Sequence, residues 1–477
     1  MADFWQASIW LILIMLITMV VALRKIWQLP KCPKRRLVGS NGMIPQGRLC
    51  SLPFFGETFE FLKDPHGFHQ RHMARYGETF YSYLFGGHSI TLTTPEACRW
   101  VLQTAQKDFK PGYPHSATSI LDETGSIYEE NFHSRMRRIV GPALHPEALQ
   151  LHVKCMDALA SIMISKWEDN QIVNLHQELR RYTFFVASRI TCGLDPGKET
   201  NEMADLIKDV KRGFISLHLN LPFTNYRRAL KARDVLYHSF QEIIDKRRSE
   251  GTRHNDVLDA LLTSEVHGGN FTDLQLRAII LTLMFGGYET TSSQLVWTIK
   301  RLHDHPKILE DVRAEHEAIR KRKSNKDEPL TWEDIKDMKL TDQVIQETMR
   351  TSYLNMFIPR EALKDLEYNG LFVPKGWKVH ASISSFHLNP KVFPDPYKFE
   401  PSRFQENPLP GTYMPYGFGN RMCLGSDLAK SQMLIFIHHL VSSKRFEAAG
   451  PDKGIRWWPI PSPKGGYPIR IRNMKRI

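Results

Sequence analysis

Cysteine is scarce here. Six occur in 477 residues, at Cys32, Cys50, Cys98, Cys155, Cys192 and Cys423, with no C-x-x-C pair among them. That spacing argues against a disulfide framework or a structural zinc site, and for a reducing compartment. Nucleotide and hydrolase signatures are missing too. No Walker loop, G-x-S-x-G elbow or H-E-x-x-H helix occurs. The glycine-rich loop at Gly417 to Gly425 fails as a dinucleotide fingerprint, because Met422 stands where that pattern needs glycine. There is no zinc-finger or aromatic RNA-binding motif, and apart from Lys31 to Arg36 the basic residues are scattered. The net charge of +13 therefore suits anionic surfaces or acidic proteins, and no nucleic acid is expected as a partner. With no internal repeat, low-complexity tract or second linker, one large domain is favoured.

Charge is absent from Ala7 to Leu23, where Ser8 and Thr18 alone interrupt an apolar run. With flanking residues the run reaches roughly 20, enough for one membrane helix. Arg24 and Lys25 end it, and Lys31, Lys34, Arg35 and Arg36 follow, which places the body of the protein in the cytosol. A cleaved secretory signal fits less well, since the positive charge follows the run and no A-x-A-like site is evident. The expected organisation is an anchor over 1–25, a Pro/Gly-rich hinge over 26–56 and a globular body over 57–477.

The body reads as mainly α with small β patches. Tyr81 to Leu84 and Ser89 to Leu92 predict a hairpin around Gly86-Gly87. Pro95 to Leu102 reads as a helix start, Phe109 to Thr124 as a long loop, and Asn131 to Leu144 as a basic helix. Thr272 and Gln275 form a capping box opening a helix from Leu274 to about His303. Leu366 to Val373 and Trp377 to Ser382 form a second β patch, and Asp427 to Val441 an amphipathic segment.

Four constellations carry chemistry. The long helix holds Gly286-Gly287-Tyr288-Glu289-Thr290 near its middle. Glycine and threonine weaken a helix, and a threonine hydroxyl bonding back one turn bends it. A widened point with an acid and an alcohol beside it is expected. Glu347 and Arg350 stand at i and i+3, on one helical face, and Arg403 in Pro401-Ser402-Arg403-Phe404 could share Glu347. His133 and Arg137, four apart, face one way and with Arg360 and Arg421 offer donors suited to carboxylates. Cys423 sits between Gly419 and Gly425, where backbone N–H groups and the following helix favour a thiolate. From the residues alone it could be a metal ligand, a nucleophile or a buried thiol.

Together and in this order, these motifs resemble the cytochrome P-450 haem-thiolate monooxygenases over nearly the whole chain. The pattern F-x-x-G-x-R-x-C-x-G is met at Gly419, Arg421, Cys423 and Gly425, with Tyr416 where phenylalanine is usual. The acid–alcohol pattern is met by Gly287, Glu289 and Thr290, E-x-x-R by Glu347 and Arg350, and P-x-R-F by Pro401, Arg403 and Phe404. The resemblance implies haem b with Cys423 as the axial iron ligand, and Arg137, Arg360 and Arg421, assisted by His133, on the propionates. It implies Glu289 and Thr290 as catalytic groups supplying protons during O2 activation, and Glu347, Arg350 and Arg403 as a structural network. It also implies electrons from NADPH through a membrane-bound NADPH–cytochrome P-450 reductase, a small apolar substrate, and single-pass anchoring in the endoplasmic reticulum. Members that rearrange peroxides as haem isomerases or dehydratases, without O2, tend to lose the acid–alcohol pair retained here.

Finer likeness is to the plant branch that oxidises terpenoids and steroids. Phe109-Lys110-Pro111-Gly112-Tyr113-Pro114 and Pro374-Lys375-Gly376-Trp377 look like ent-kaurenoic acid oxidase, whereas Leu330-Thr331-Trp332 and Pro461-Ser462-Pro463-Lys464-Gly465-Gly466 look like abscisic acid 8′-hydroxylase. A diterpenoid acid such as ent-kaurenoic acid is the expected substrate, with abscisic acid or a steroid or triterpenoid as alternatives. Two departures concern the branch and its pocket. Leu424 follows the cysteine where proline is usual, and Asn355-Met356-Phe357-Ile358 matches neither enzyme closely.

Overall fold

The computed structural model describes residues 43–48, 55–123, 125–251, 253–263, 271–325, 328–352, 354 and 356–474. The expected anchor and most of the hinge lie outside the described residues. Among those described, no helix is long and apolar enough to cross a membrane.

Seven helices position the site: α1 (Glu130–Ala143), α2 (Leu175–Cys192), α3 (Lys198–Phe214), α4 (Asn225–Glu250), α5 (Asp273–Asp304), α6 (Lys339–Thr351) and α7 (Ser426–Ser443). The axis of the fold is α5, 32 residues or about 48 Å long. Its start is fixed by the Thr272–Gln275 capping box, in which each side chain meets the other's backbone. Arg301 and His303 occupy its last turn, where cations complement the helix dipole. Between these ends it is buried on most faces, and Ile279, Ile280, Leu281, Leu295, Val296 and Ile299 join the main core with α2, α4 and α7. Helix α7 is expected to be amphipathic but is buried nearly all round, from Leu428 to Val441. It is a core helix.

One five-stranded sheet flanks the helices. Its strands are β1 (Thr79–Leu84), β2 (Gly87–Leu92), β3 (Phe109–Pro111), β4 (Ile358–Ala362) and β5 (Lys378–Ala381), in the order β1-β2-β5-β4-β3. Only β2 and β5 run parallel. The β1–β2 hairpin turns on Phe85 and Gly86, both with positive φ, the signature of a tight primed turn.

The stretch read as one long loop from Phe109 instead holds β3 and a short helix, His115–Leu121. Strand β3 is held by pairing with β4, a partner some 250 residues away that no local pattern reveals. The helix expected to start at Pro95 is α-helical only to Arg99, then widens into a π turn over Trp100–Thr104.

Candidate active site

Cys423 lies between a short 3-10 turn, Gly419–Arg421, and the start of α7. Its N–H donates to the Tyr416 carbonyl at 2.9 Å. Gly419 has φ +75, and a Cβ there would stand 2.0 Å from the Leu102 carbonyl oxygen, so this position admits only glycine. The turn is pinned further by the Asn420 N–H on Gln106 Oε1 at 3.2 Å. Gly425 is different, because a Cβ there would meet no atom within 4 Å. Cys423 is exposed, yet protein crowds it on most sides, so the thiol opens onto a recess rather than the outer surface. Burial pushes this thiol up. The Gly425 N–H and Arg137 pull it down without reversing the shift, and Asp427 adds to it. The loop's Gly425 N–H thus favours the thiolate as expected, but by less than burial opposes it. A metal cation on the sulfur would supply what the loop does not.

Beside the loop, cations outnumber anions. Arg137 donates to the Met422 carbonyl at 2.5 Å. Arg360, only 6% exposed, donates to the Pro359 carbonyl at 3.0 Å. Neither has a carboxylate within ion-pair distance among the described residues. Arg421 is partly answered, by Glu130 at 3.0 Å and the Tyr128 carbonyl at 3.2 Å. His133 stands among all three. Burial first, then Arg421, Arg137 and Arg360, lower its ring to about 3, so it is neutral at physiological pH, and its buried Nδ1 has no partner. A buried, unanswered guanidinium and an idle imidazole nitrogen fit an anionic group. With an accessible thiol beside them, the donor set fits a flat, dianionic, metal-bearing cofactor.

On α5, Gly286 and Thr290 share a face, one turn apart. A Cβ on Gly286 would meet nothing within 4 Å, whereas one on Gly287 would touch Ala187 of α2 at 3.3 Å. The Thr290 hydroxyl donates back to the Gly286 carbonyl at 2.5 Å, yet α5 stays α-helical throughout. The widened point expected there is thus absent. The acid and the alcohol are also not side by side. Glu289 is fully buried and gripped by Arg180 of α2, with Nε at 3.1 Å and a terminal nitrogen at 2.7 Å. Lys211 of α3 pairs with it as well. Burial lowers Lys211 to about 8, although Glu289 opposes the shift. Sequence reading missed Arg180 and Lys211, since no local pattern on α2 or α3 sets either apart from the exposed basic residues around it.

Glu347 and Arg350 face each other with no exposed surface, at 2.7 and 2.8 Å. Arg350 also donates to the His387 carbonyl at 2.8 Å, and the Glu400 N–H donates to Glu347 at 3.0 Å. Arg403 Nε lies 3.6 Å from Glu347. A residue that sequence reading passed over joins this network to the cysteine loop: His387 Nε2 accepts from the Met414 N–H at 3.0 Å.

The cytochrome P450 family profile matches residues 45–456. The chain belongs to the cytochrome P450 family. It is 37% identical to abscisic acid 8′-hydroxylase 2 of Arabidopsis thaliana, covering 90% of this chain and 89% of that protein. It is 35% identical to abscisic acid 8′-hydroxylase 4 of the same plant, over 98% of this chain and 99% of that one. Among solved structures, a retinoic-acid-bound cyanobacterial cytochrome, CYP120A1, superposes with a TM-score of 0.82 at 29% identity, covering 91% of this chain and all of the other. This P450 is thus a haem b monooxygenase that takes electrons from NADPH through a reductase.

Proposed function

We propose that this P450 hydroxylates abscisic acid or a closely similar ring-bearing isoprenoid acid. The observation that carries the reading is likeness along the whole chain to abscisic acid 8′-hydroxylases, at 35–37% identity over 90% or more of it. The relatives therefore favour the alternative reading over ent-kaurenoic acid as substrate. The cyanobacterial neighbour is named for retinoic acid, another apolar isoprenoid with one carboxylate, which supports a pocket that is apolar with few polar contacts.

Haem held by Cys423 supplies the oxidising chemistry when bound. Arg137, Arg360 and Arg421 answer its two carboxylates, with His133 Nδ1 as a further contact. Arg360 gains most, since its guanidinium is buried and meets only its neighbour's carbonyl. Thr290 presents its hydroxyl on the open face of α5. Glu289 acts from the buried side: on letting go of Arg180 and Lys211 its carboxylate takes up a proton from solvent and passes it inward through water toward Thr290. Glu347, Arg350 and Arg403 hold the backbone that seats the cysteine loop. The docking partner is an NADPH–cytochrome P450 reductase, drawn by net positive charge. Residues 1–25 anchor the chain in the endoplasmic reticulum membrane, residues 26–56 form the hinge, and 57–477 form the catalytic domain in the cytosol.

The test is product analysis. Microsomes containing the chain and a plant reductase are fed abscisic acid, ent-kaurenoic acid and a steroid panel, with mass spectrometry of the products. Hydroxylated abscisic acid is expected, and turnover of ent-kaurenoic acid alone would overturn the reading. Cys423→Ser should remove both turnover and the red-shifted Soret band of the thiolate-ligated ferrous carbonyl complex.

A further inference from the structure

The side of α5 that carries Glu289 holds more positive charge than one carboxylate answers. His176 is the second residue of α2 and lies one turn before Arg180, so the two share a face. It is 1% exposed, and neither ring nitrogen has a partner, whereas a buried imidazole ordinarily has at least one. Burial first, then Arg180, Lys211 and Arg456, hold this ring well below the usual histidine value. Arg180 and Lys211 both pair with Glu289. Arg456 pairs with no carboxylate among the described residues and donates to the Ser462 hydroxyl at 3.2 Å. Two cations thus share one carboxylate and a third has none, beside two idle imidazole nitrogens.

We propose that a small monovalent anion of the chloride class binds between His176, Arg180, Lys211 and Arg456. Imidazole, ammonium and guanidinium supply N–H donors, so the occupant must accept hydrogen bonds and carry negative charge. The buried His176 and Glu289 beside it leave room only for a small ion, and Arg456, which is exposed, gives it a way in. The occupant shares Arg180 and Lys211 with Glu289, so filling the site loosens the hold on that carboxylate. Binding is read without turnover, and therefore stands or falls apart from the substrate and the catalytic roles.

The haem-loaded full chain is melted in chloride and in gluconate at equal ionic strength, and crystals soaked in bromide are examined for anomalous scattering. A saturable, chloride-specific rise in melting temperature is expected, with a bromide peak among the four residues. Arg456→Gln, a change at an exposed residue that leaves the core intact, should weaken the apparent affinity about ten-fold or more, as loss of one charged donor does. His176→Asn, as the buried counterpart, should shift the saturation curve as well. Equal melting in both anions, a bromide peak elsewhere only, or an undiminished chloride response in Arg456→Gln would each overturn the proposal.

Discussion

Glu347 and Glu289 are both without exposed surface, and each accepts two bonds from one guanidinium. Their surroundings differ. Glu347 meets Arg350 one turn along the same helix, and the groups left over on both sides are taken by the Glu400 N–H and the His387 and Lys398 carbonyls. A second cation near Glu347, Arg403 at 3.6 Å, is answered by Glu400 at 3.2 Å, so charge stays balanced there. Glu289 is held from two other helices, by Arg180 and Lys211, whose side chains are 20% and 12% exposed. Its partners outnumber it and reach toward solvent. A buried ion pair of the first kind fixes a backbone, whereas one of the second kind holds a charge able to change partners.

The strongest way to break this comparison is to remove one half of the closed pair. Arg350→Leu leaves the buried Glu347 with only Arg403 at 3.6 Å and the Glu400 N–H, and loss of its close partner costs about 3–5 kcal/mol, much of a typical domain's stability of about 5–15 kcal/mol. No haem-loaded protein should be recovered, as read from the Soret band and thermal melting. A well-folded, haem-loaded Arg350→Leu protein would mean that Glu347–Arg350 does not seat the loop.

The matching change on the other side should spare the fold and strike turnover. Glu289→Gln keeps the volume, and its released cations can turn toward solvent, so the protein should fold and load haem. Product formation should fall about 100-fold, the range of a positioned proton donor. Thr290→Ala should let NADPH oxidation continue while product drops, giving a low ratio of product to NADPH. A Glu289→Gln protein that fails to fold would place that carboxylate in the same class as Glu347.

How much was legible in the sequence follows the same divide. The Glu347–Arg350 pair, the Thr272–Gln275 cap and the Phe85–Gly86 hairpin are local, closed within two to four residues, and the pattern of residue types displays them. The cysteine loop is local too, and the steric demand at Gly419 explains its glycine. Arg180 and Lys211 reach Glu289 across 109 and 78 residues, and nothing near any of the three announces the contact. Strand β3, in a Gly- and Pro-rich stretch, exists because β4 pairs with it. Helix α7 looked amphipathic because His438, Gln432 and Ser431 interrupt its apolar residues, yet all three are buried. The substrate was the least legible, since apolar pockets for two isoprenoid acids call for similar residue types.

The smallest expected effect tests whether the closed network is as rigid as its geometry implies. His387 accepts from the Met414 N–H through Nε2, so its one proton sits on Nδ1, and a second would displace that bond. Burial, then Arg350, lower this ring from 6.5 to about 3. Between those two values the unfolded chain binds a proton that the folded one refuses. Stability from this group is therefore complete above pH about 6.5 and is lost as pH falls toward 3, by at most about 1.4 kcal/mol per pH unit. His69, His133, His316 and His380 are each lowered to about 3 as well, with burial the first cause, and push in the same direction. His387→Gln keeps an acceptor for Met414 and does not titrate. Urea unfolding at pH 7 and pH 5 should therefore show a shallower loss of stability in His387→Gln than in the parent. An unchanged slope would mean that the loop end of the network yields to admit the proton, and that the seat beneath Cys423 is softer than the Glu347–Arg350 pair that anchors it.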